Sequence, residues 1–262
     1  MSRALYTAAT GMHAQQLKID VIANNLSNVN TDGFKRSRAE FQDLIYQNLR
    51  TAGAATGVDL TAPVGVQVGL GVRPAATARN FEQGDMKSTS NALDVAIEGS
   101  GMFQVQLPSS ETVFTRNGSF KVDPEGRLVT NDGYPLEPSI VIPRDAVEVT
   151  IGLDGVVTAR MDESGENMVE LGQITLADAV NEGGFESIGR NLYRFVGGSD
   201  ALRVGVPGSE GFGNLAQGFL EASNVKVVEE MIAMISGQRA YEANSKVIQT
   251  ADQMMEETNR LR

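Results

Sequence analysis

Side chains capable of covalent or acid–base chemistry are few in this chain, and none is spaced to work with another. The single histidine, His13, cannot alone build a multi-histidine metal site. As the base of a Ser-His-Asp triad it would sit on a helix expected to be buried in an assembly, so surface or interface packing is its role. Glu229/Glu230 and Glu256/Glu257 are adjacent carboxylates on a helical stretch. Sequence neighbours on a helix point apart, so neither pair makes an acid/base dyad. Gly69-Leu70-Gly71 lacks the further glycine, the preceding strand and the following helix of a dinucleotide site. The run Asp162-Glu163-Ser164-Gly165-Glu166 misses the alternating ligand spacing of a calcium loop and reads as a solvated turn. With no cysteine there is no thiol nucleophile, disulfide or thiolate-bound metal. The sequence therefore predicts no catalytic, cofactor-binding or metal-binding residue, and no cofactor.

The elements that would have to position any site are far better marked. Leu5, Met12, Ile19 and Leu26 fall on every seventh residue near the start, and Val227, Met234, Tyr241, Ile248 and Met255 do so near the end. Such spacing marks the seam of a helix packed lengthwise on another helix. The expected second seam positions are Ala9, Gln16 and Ala23 on the first helix, and Met231, Gln238, Ser245 and Asp252 on the last. With Ala, Gln, Ser and Asp filling most of that second row, each helix has only a few large apolar knobs against the entropy of ordering it. The seams are therefore expected to find partners in neighbouring subunits; the alternative is an ordinary intramolecular helical hairpin. Gly237 stands inside the last helix, at a cost of about 1 kcal/mol against alanine. It is either tolerated there or lets a neighbouring helix approach closely. Asn24 and Asn25 are candidate register residues of the seam, whereas helix-end capping accounts equally well for Asn28 and Asn30. The first helix should run from about residue 2 to 28, and Asn224 is the expected N-cap of the last.

Between the helices the pattern changes twice. Phe41, Leu44, Ile45 and Leu49 share one helical face and predict a short amphipathic helix, followed by a glycine-punctuated arm or hairpin in which Val66, Val68, Leu70 and Val72 alternate. From 91 to 207 the period is two. Leu93, Val95 and Ile97 before Gly99-Ser100-Gly101, with Phe103, Val105 and Leu107 after it, read as a hairpin, and turn signals recur at Asn117-Gly118, Asp132-Gly133 and Asp154-Gly155. The expected fold is α+β. Long N- and C-terminal helices form a coiled-coil-like pair, with an inserted extended arm and an all-β outer domain of the sandwich or barrel kind. The boundaries are 1–33 for the first helix, 34–90 for the short helix and arm, 91–207 for the β body, 208–222 for a return linker and 223–262 for the last helix.

Composition agrees with this plan. Twenty-eight glycines, 6% aromatics and no tryptophan in 262 residues suit a turn-rich β body. The net charge of −11 is uneven: residues 1–50 carry a balance of +2, residues 223–262 one of −1, and the middle −12. No basic patch is large enough to displace counterions from nucleic acid. After Met1-Ser2-Arg3 the chain is amphipathic, so no cleavable signal peptide is expected, and no run approaches the ~20 apolar residues of a membrane span. Work outside the cytoplasm would require an export route that reads no such signal.

Two long stretches also carry a family likeness. Ala23-Asn24-Asn25-Leu26-Ser27-Asn28-Val29-Asn30-Thr31-Asp32-Gly33-Phe34-Lys35 resembles the N-terminal signature of bacterial flagellar rod and hook proteins. Residues 238–252, from Gln238-Arg239-Ala240-Tyr241 onward, resemble their C-terminal signature. Asp94-Val95-Ala96-Ile97, Phe114-Thr115-Arg116-Asn117-Gly118-Ser119-Phe120, Glu186-Ser187-Ile188-Gly189 and Asn191-Leu192-Tyr193 are similar to the family's middle. The likeness covers nearly the whole chain, and the arm at about 46–75 places it on the distal-rod branch. Asp32 departs from the proline of many relatives, and Gly237 from a residue with a side chain.

The resemblance implies a structural subunit without enzymatic activity, exported unfolded through the flagellar type III apparatus and polymerised helically into a stiff drive shaft. The terminal helices would form the inner tube and the β body the outer layer. Leu5, Met12, Ile19, Asn24, Asn25, Leu26, Met234, Gly237, Tyr241, Ile248 and Met255 would pack subunits. Asn28, Gly33, Phe34, Lys35, Arg239, Ala240 and Tyr241 would carry the signature. Implied partners are further copies of the chain, proximal rod proteins, the hook protein, the ring proteins of the peptidoglycan layer and outer membrane, the export apparatus and a rod cap. A proximal rod or hook subunit is the sibling alternative. A hydrolytic or carbohydrate-binding β domain on a helical stalk is the alternative of another class.

Overall fold

The computed structural model describes residues 2–53, 55–57, 60–61, 63–162, 168–198, 201–209 and 211–260. Most of the acidic run at 162–166 lies outside them. Two compact units result: Met1–Ser27 with Ser37–Asn80 and Lys226–Arg262, and Asn28–Arg36 with Phe81–Val225.

The first unit holds α1 (Ser2–Ser27) and α2 (Val227–Arg260). They run antiparallel, as three approaches show: Asn25 to Glu230, Ile19 to Gly237 and Gly11 to Asn244. The row Leu5, Met12, Ile19 and Leu26 is half-buried, as are Met234, Ile248 and Met255. The second row is not the expected one. Ala9, Gln16 and Ala23 are exposed; Ala8, Gln15 and Ile22 face inward instead. On α2 the inward residues are Glu230, Gly237, Asn244 and Ala251, while Met231, Gln238 and Asp252 are exposed. In both helices the second row lies three residues after the first, not four. A seven-residue repeat splits either way, three then four or four then three, and small residues on both sides of the seam leave the choice to the facing helix.

The rest of this unit is a nested antiparallel ribbon. Ser37–Asp43 pairs with Val72–Arg79, Tyr46–Arg50 with Val66–Gly69, and Ala55–Gly57 with Leu60–Thr61. The short helix expected around Phe41, Leu44, Ile45 and Leu49 is thus two strands. Its apolar spacing fits a helix, but the ladder to 66–79 and contact with α1 override that local preference. The ribbon follows α1: Arg3 Nη1 donates to Gln47 Oε1 at 2.7 Å, and Val72 N to Thr10 Oγ1 at 3.4 Å.

In the second unit every strand pairing is antiparallel. The largest sheet runs Phe185–Gly189, Leu192–Phe195, Thr112–Thr115, Met102–Gln106, Leu176–Ala179, Leu202–Gly205, with Leu136–Glu137 also on Met102–Gln106. It is an open path with two edges, not a closed barrel, among the described residues. A second sheet joins Glu148–Ile151, Val156–Arg160 and Met168–Gln173. Val95, Ile97, Phe103, Phe120, Leu136, Ile174, Leu176 and Leu215 form the core, with the rings of Phe103 and Phe120 edge-to-face at 5.1 Å.

Val95–Glu98 and Met102–Gln106 do not form a hairpin; the first pairs with Asn214–Gln217 and the second with Thr112–Thr115 and Leu176–Ala179. Residues 208–222 are no plain linker, since they supply Asn214–Gln217 and also Phe219–Glu221, the partner of Met86–Ser88. Asn224 does not cap α2, which begins three residues later. Its Oδ1 accepts from Arg36 N at 2.7 Å and its Nδ2 donates to Glu82 O at 3.0 Å.

Candidate functional site: a buried charge cluster

Lys35, Arg116 and Glu221 meet in the interior of the second unit, 1%, 5% and 2% exposed. Each arrives for a local reason. Lys35 follows Gly33, whose φ of +72° turns the chain so that Phe34 and Lys35 both point inward. Arg116 lies just past the strand Thr112–Thr115, before a turn in which Asn117 Oδ1 accepts from Ser119 N at 3.0 Å. Glu221 ends the short strand paired with Met86–Ser88, and its backbone oxygen accepts from Gly33 N at 2.7 Å.

All three donors of the lysine and four of the arginine have partners. Lys35 Nζ donates to Glu221 Oε1 at 2.6 Å, Glu82 O at 2.7 Å and Phe81 O at 3.1 Å. An ammonium has three donors, and all three are placed. Arg116 Nε donates to Glu221 Oε2 at 2.5 Å, and Nη2 to Gly99 O at 2.5 Å and Ile97 O at 3.0 Å. Nη1 donates to Gly101 O. Glu221 Oε1 also accepts from Gly84 N at 2.8 Å. One carboxylate and five backbone carbonyls therefore surround two cations. The expected hairpin at 99–101 fails for this reason: that loop is wrapped round a guanidinium.

Burial alone would raise the Glu221 pKa, but Arg116, then Lys35 and the Gly84 N–H, hold the carboxyl below its ordinary value. Burial pulls the Lys35 ammonium below the usual lysine range, an effect that Glu221 offsets only in part. A carboxylate with a depressed folded-state pKa adds stability that is present above its unfolded value and lost as pH falls through the folded one. Stability of the β-rich unit is therefore expected to fall in acid below about pH 5, where unfolded Glu begins to take up protons. Denaturant midpoints between neutral pH and pH 3 check this; an unchanged midpoint would contradict it. The cluster is sealed from solvent, so its chemistry is positional. It ties residues 33–35, 81–84, 97–101, 116 and 221 together.

Lys35 was legible only as a signature residue. Arg116 belongs to the Phe114–Phe120 stretch that resembles the family's middle, and its signal was a cation set between a strand and an Asn-Gly turn. Nothing in the sequence marked Glu221.

The remaining candidate residues lie in the first unit or at its margins. Asn25 is 1% exposed and exchanges two bonds with Ser37, Nδ2 to O at 2.8 Å and Ser37 N to Oδ1 at 2.9 Å. Its Nδ2 also reaches Glu230 Oε2 at 3.3 Å, so its amide is committed within the chain. Gly237 is buried, and a Cβ there would stand 3.2 Å from Ile19 Cγ1. The close approach is thus to α1 of the same chain. Asn24, Arg239 and Tyr241 are exposed; Asn28 and Ala240 are half-buried. His13 is exposed, and of the Glu229/Glu230 pair only Glu230 is buried, so the two do point apart. No helix is long and apolar enough to cross a membrane among the described residues.

Comparison with known proteins matches three family models along the chain. Residues 5–35 match "Flagella basal body rod protein", residues 96–159 "Flagellar hook protein FlgE/F/G D1 domain" and residues 216–261 "Flagellar basal body rod FlgEFG protein C-terminal". The flagellar basal-body rod protein FlgG of Borreliella burgdorferi is 50% identical, the alignment covering 100% of this chain and 99% of the relative. Those of Caulobacter vibrioides, at 49% with 99% of each chain, and Buchnera aphidicola, at 47% with 100% of each, are similar along their whole lengths.

Proposed function

The chain belongs to the family of flagellar basal-body rod proteins, a structural subunit of the distal rod and not an enzyme, and from that premise we propose that α1 and α2 act as a coiled-coil-like pair whose outer faces stack helically into the inner tube of a stiff shaft. The observation that carries this is an apolar face on α2 that the chain itself leaves uncovered. Val228, Met231, Ile232 and Ile235 are 69%, 51%, 63% and 50% exposed. They recur at helical spacing, off the seam that meets α1, and adjoining exposed apolar side chains of this kind support an interaction site. Leu5, Met12, Ile19, Leu26, Met234, Ile248 and Met255 then hold each pair together, while Asn24 and Tyr241 lie where copies would meet. Asn25 and Gly237 act through the pair itself.

The ribbon would stiffen the shaft. A lone two-stranded ribbon is marginal in water, and Tyr46, Leu49, Val66 and Val68 are exposed on it; contact with neighbouring copies would cover them. The protein works in the basal body. That it spans the periplasm there, reached without a cleavable signal, is the finer reading. Its proposed partners beyond itself are the proximal rod proteins, the hook protein, the surrounding ring proteins, the export apparatus and a rod cap.

Ile232→Ser with Ile235→Ser tests the assembly. Both sites are exposed, so stability of the isolated chain should change by no more than about 0.5 kcal/mol, while rod formation and swimming are lost. Normal rods carrying both substitutions would overturn the proposal.

A further inference from the structure

We propose that the Lys35–Arg116–Glu221 cluster is a folding latch, which holds the β-rich unit open until the C-terminal segment is available and so prevents early closure of a chain that emerges N-terminus first. This rests on the geometry of that unit alone and not on how copies assemble.

The cluster draws its two cations from residues 35 and 116 and, among the described residues, its direct anion from residue 221. Without Glu221, closing the unit would bring an ammonium and a guanidinium into one sealed site with no counter-charge. Like charges that cannot be hydrated oppose each other far more strongly than at the surface. Glu182, from the turn Glu182–Gly184, also acts favourably on Lys35, but more weakly than Arg116 acts against it. Backbone pairing reinforces this dependence. Val95–Glu98 lacks its partner until Asn214–Gln217 is present, and Met86–Ser88 lacks its own until Phe219–Glu221 is. The N–H groups of Gly33 and Gly84 also wait for Glu221, one for its carbonyl and the other for its carboxylate. Strands near the beginning of the unit are thus completed only by its end.

The test refolds the full-length chain from denaturant and follows it by pulsed hydrogen exchange with mass spectrometry. Amides of 84–88, Ala96 and Glu98 are expected to gain protection in the same phase as those of 214–221, and that phase should slow more than tenfold in Glu221→Gln. Lys35→Met alone should slow it too. Added to Glu221→Gln, however, Lys35→Met should speed it, because one of two uncompensated cations is gone. Protection of Ala96 and Glu98 in an earlier phase than 214–221 would overturn the latch even if no variant folds, and so would Lys35→Met slowing folding equally in both backgrounds.

Discussion

Replacing Arg116 by lysine is expected to destabilise the β-rich unit nearly as much as replacing it by alanine, by about 3–5 kcal/mol, the usual cost of breaking a buried ion pair. Charge is not what the site measures. The guanidinium gives Nε to Glu221 and its two Nη atoms to the carbonyls of Gly101, Gly99 and Ile97, four acceptors on three sides of one plane. A lysine ammonium is a single point with three donors on a flexible stem and cannot span that set. At least one bond from a buried charged donor would be lost, at about 1.5–3 kcal/mol. Alanine removes every donor and, among the described residues, leaves Glu221 paired with Lys35 alone. Because the loop at 97–101 is moulded on the guanidinium, both variants should also loosen the junction between Val95–Glu98 and Met102–Gln106. Chemical unfolding followed by near-ultraviolet dichroism reads the loss, since the aromatic core lies in this unit. If Arg116→Lys costs less than about 1 kcal/mol, the fork geometry is not what holds the loop.

What the sequence made legible follows from the range of the forces involved. A seven-residue repeat is local, so both terminal helices stood out, yet the choice between Ala8 and Ala9, or Glu230 and Met231, depends on the helix opposite. Met231 was the better hydrophobe for the seam, but Glu230 takes the inward place, where Asn25 bonds its carboxylate. Residues 208–222 looked like a linker because Gly208, Gly211, Gly213 and Gly218 break every pattern. Gly213 in fact permits contact: a Cβ there would lie 2.5 Å from Glu98 O, against the strand that Asn214–Gln217 must join. The charge cluster was hidden for a related reason. A lone glutamate in a short strand normally faces water, and only cations 105 and 186 residues away make burial of Glu221 favourable. The family signature picked out Lys35 by its letters, and the cluster supplies the physical reason for it.

Gly33→Ala is expected to cost the same unit about 3 kcal/mol or more, although it adds a single methyl group. Two penalties combine. The residue has φ +72°, a left-handed conformation that an L side chain adopts at about 1–2 kcal/mol. The new Cβ would also stand 2.7 Å from Asn117 N and 2.8 Å from the carbonyl carbon of Arg116. These are backbone atoms held by the four bonds of the Arg116 side chain, so they cannot move aside without disturbing the cluster. Nor can Gly33 retreat, because its own N–H is bonded to Glu221 O. Gly133→Ala separates the two penalties: its φ is +85°, and nothing lies within 4 Å of the Cβ position. It should lose only the conformational part. Equal losses at the two sites in denaturant unfolding would mean that strain alone explains the glycine at 33. A loss at Gly33 larger by about 2 kcal/mol would trace this signature glycine to the close packing of the N-terminal segment on Arg116.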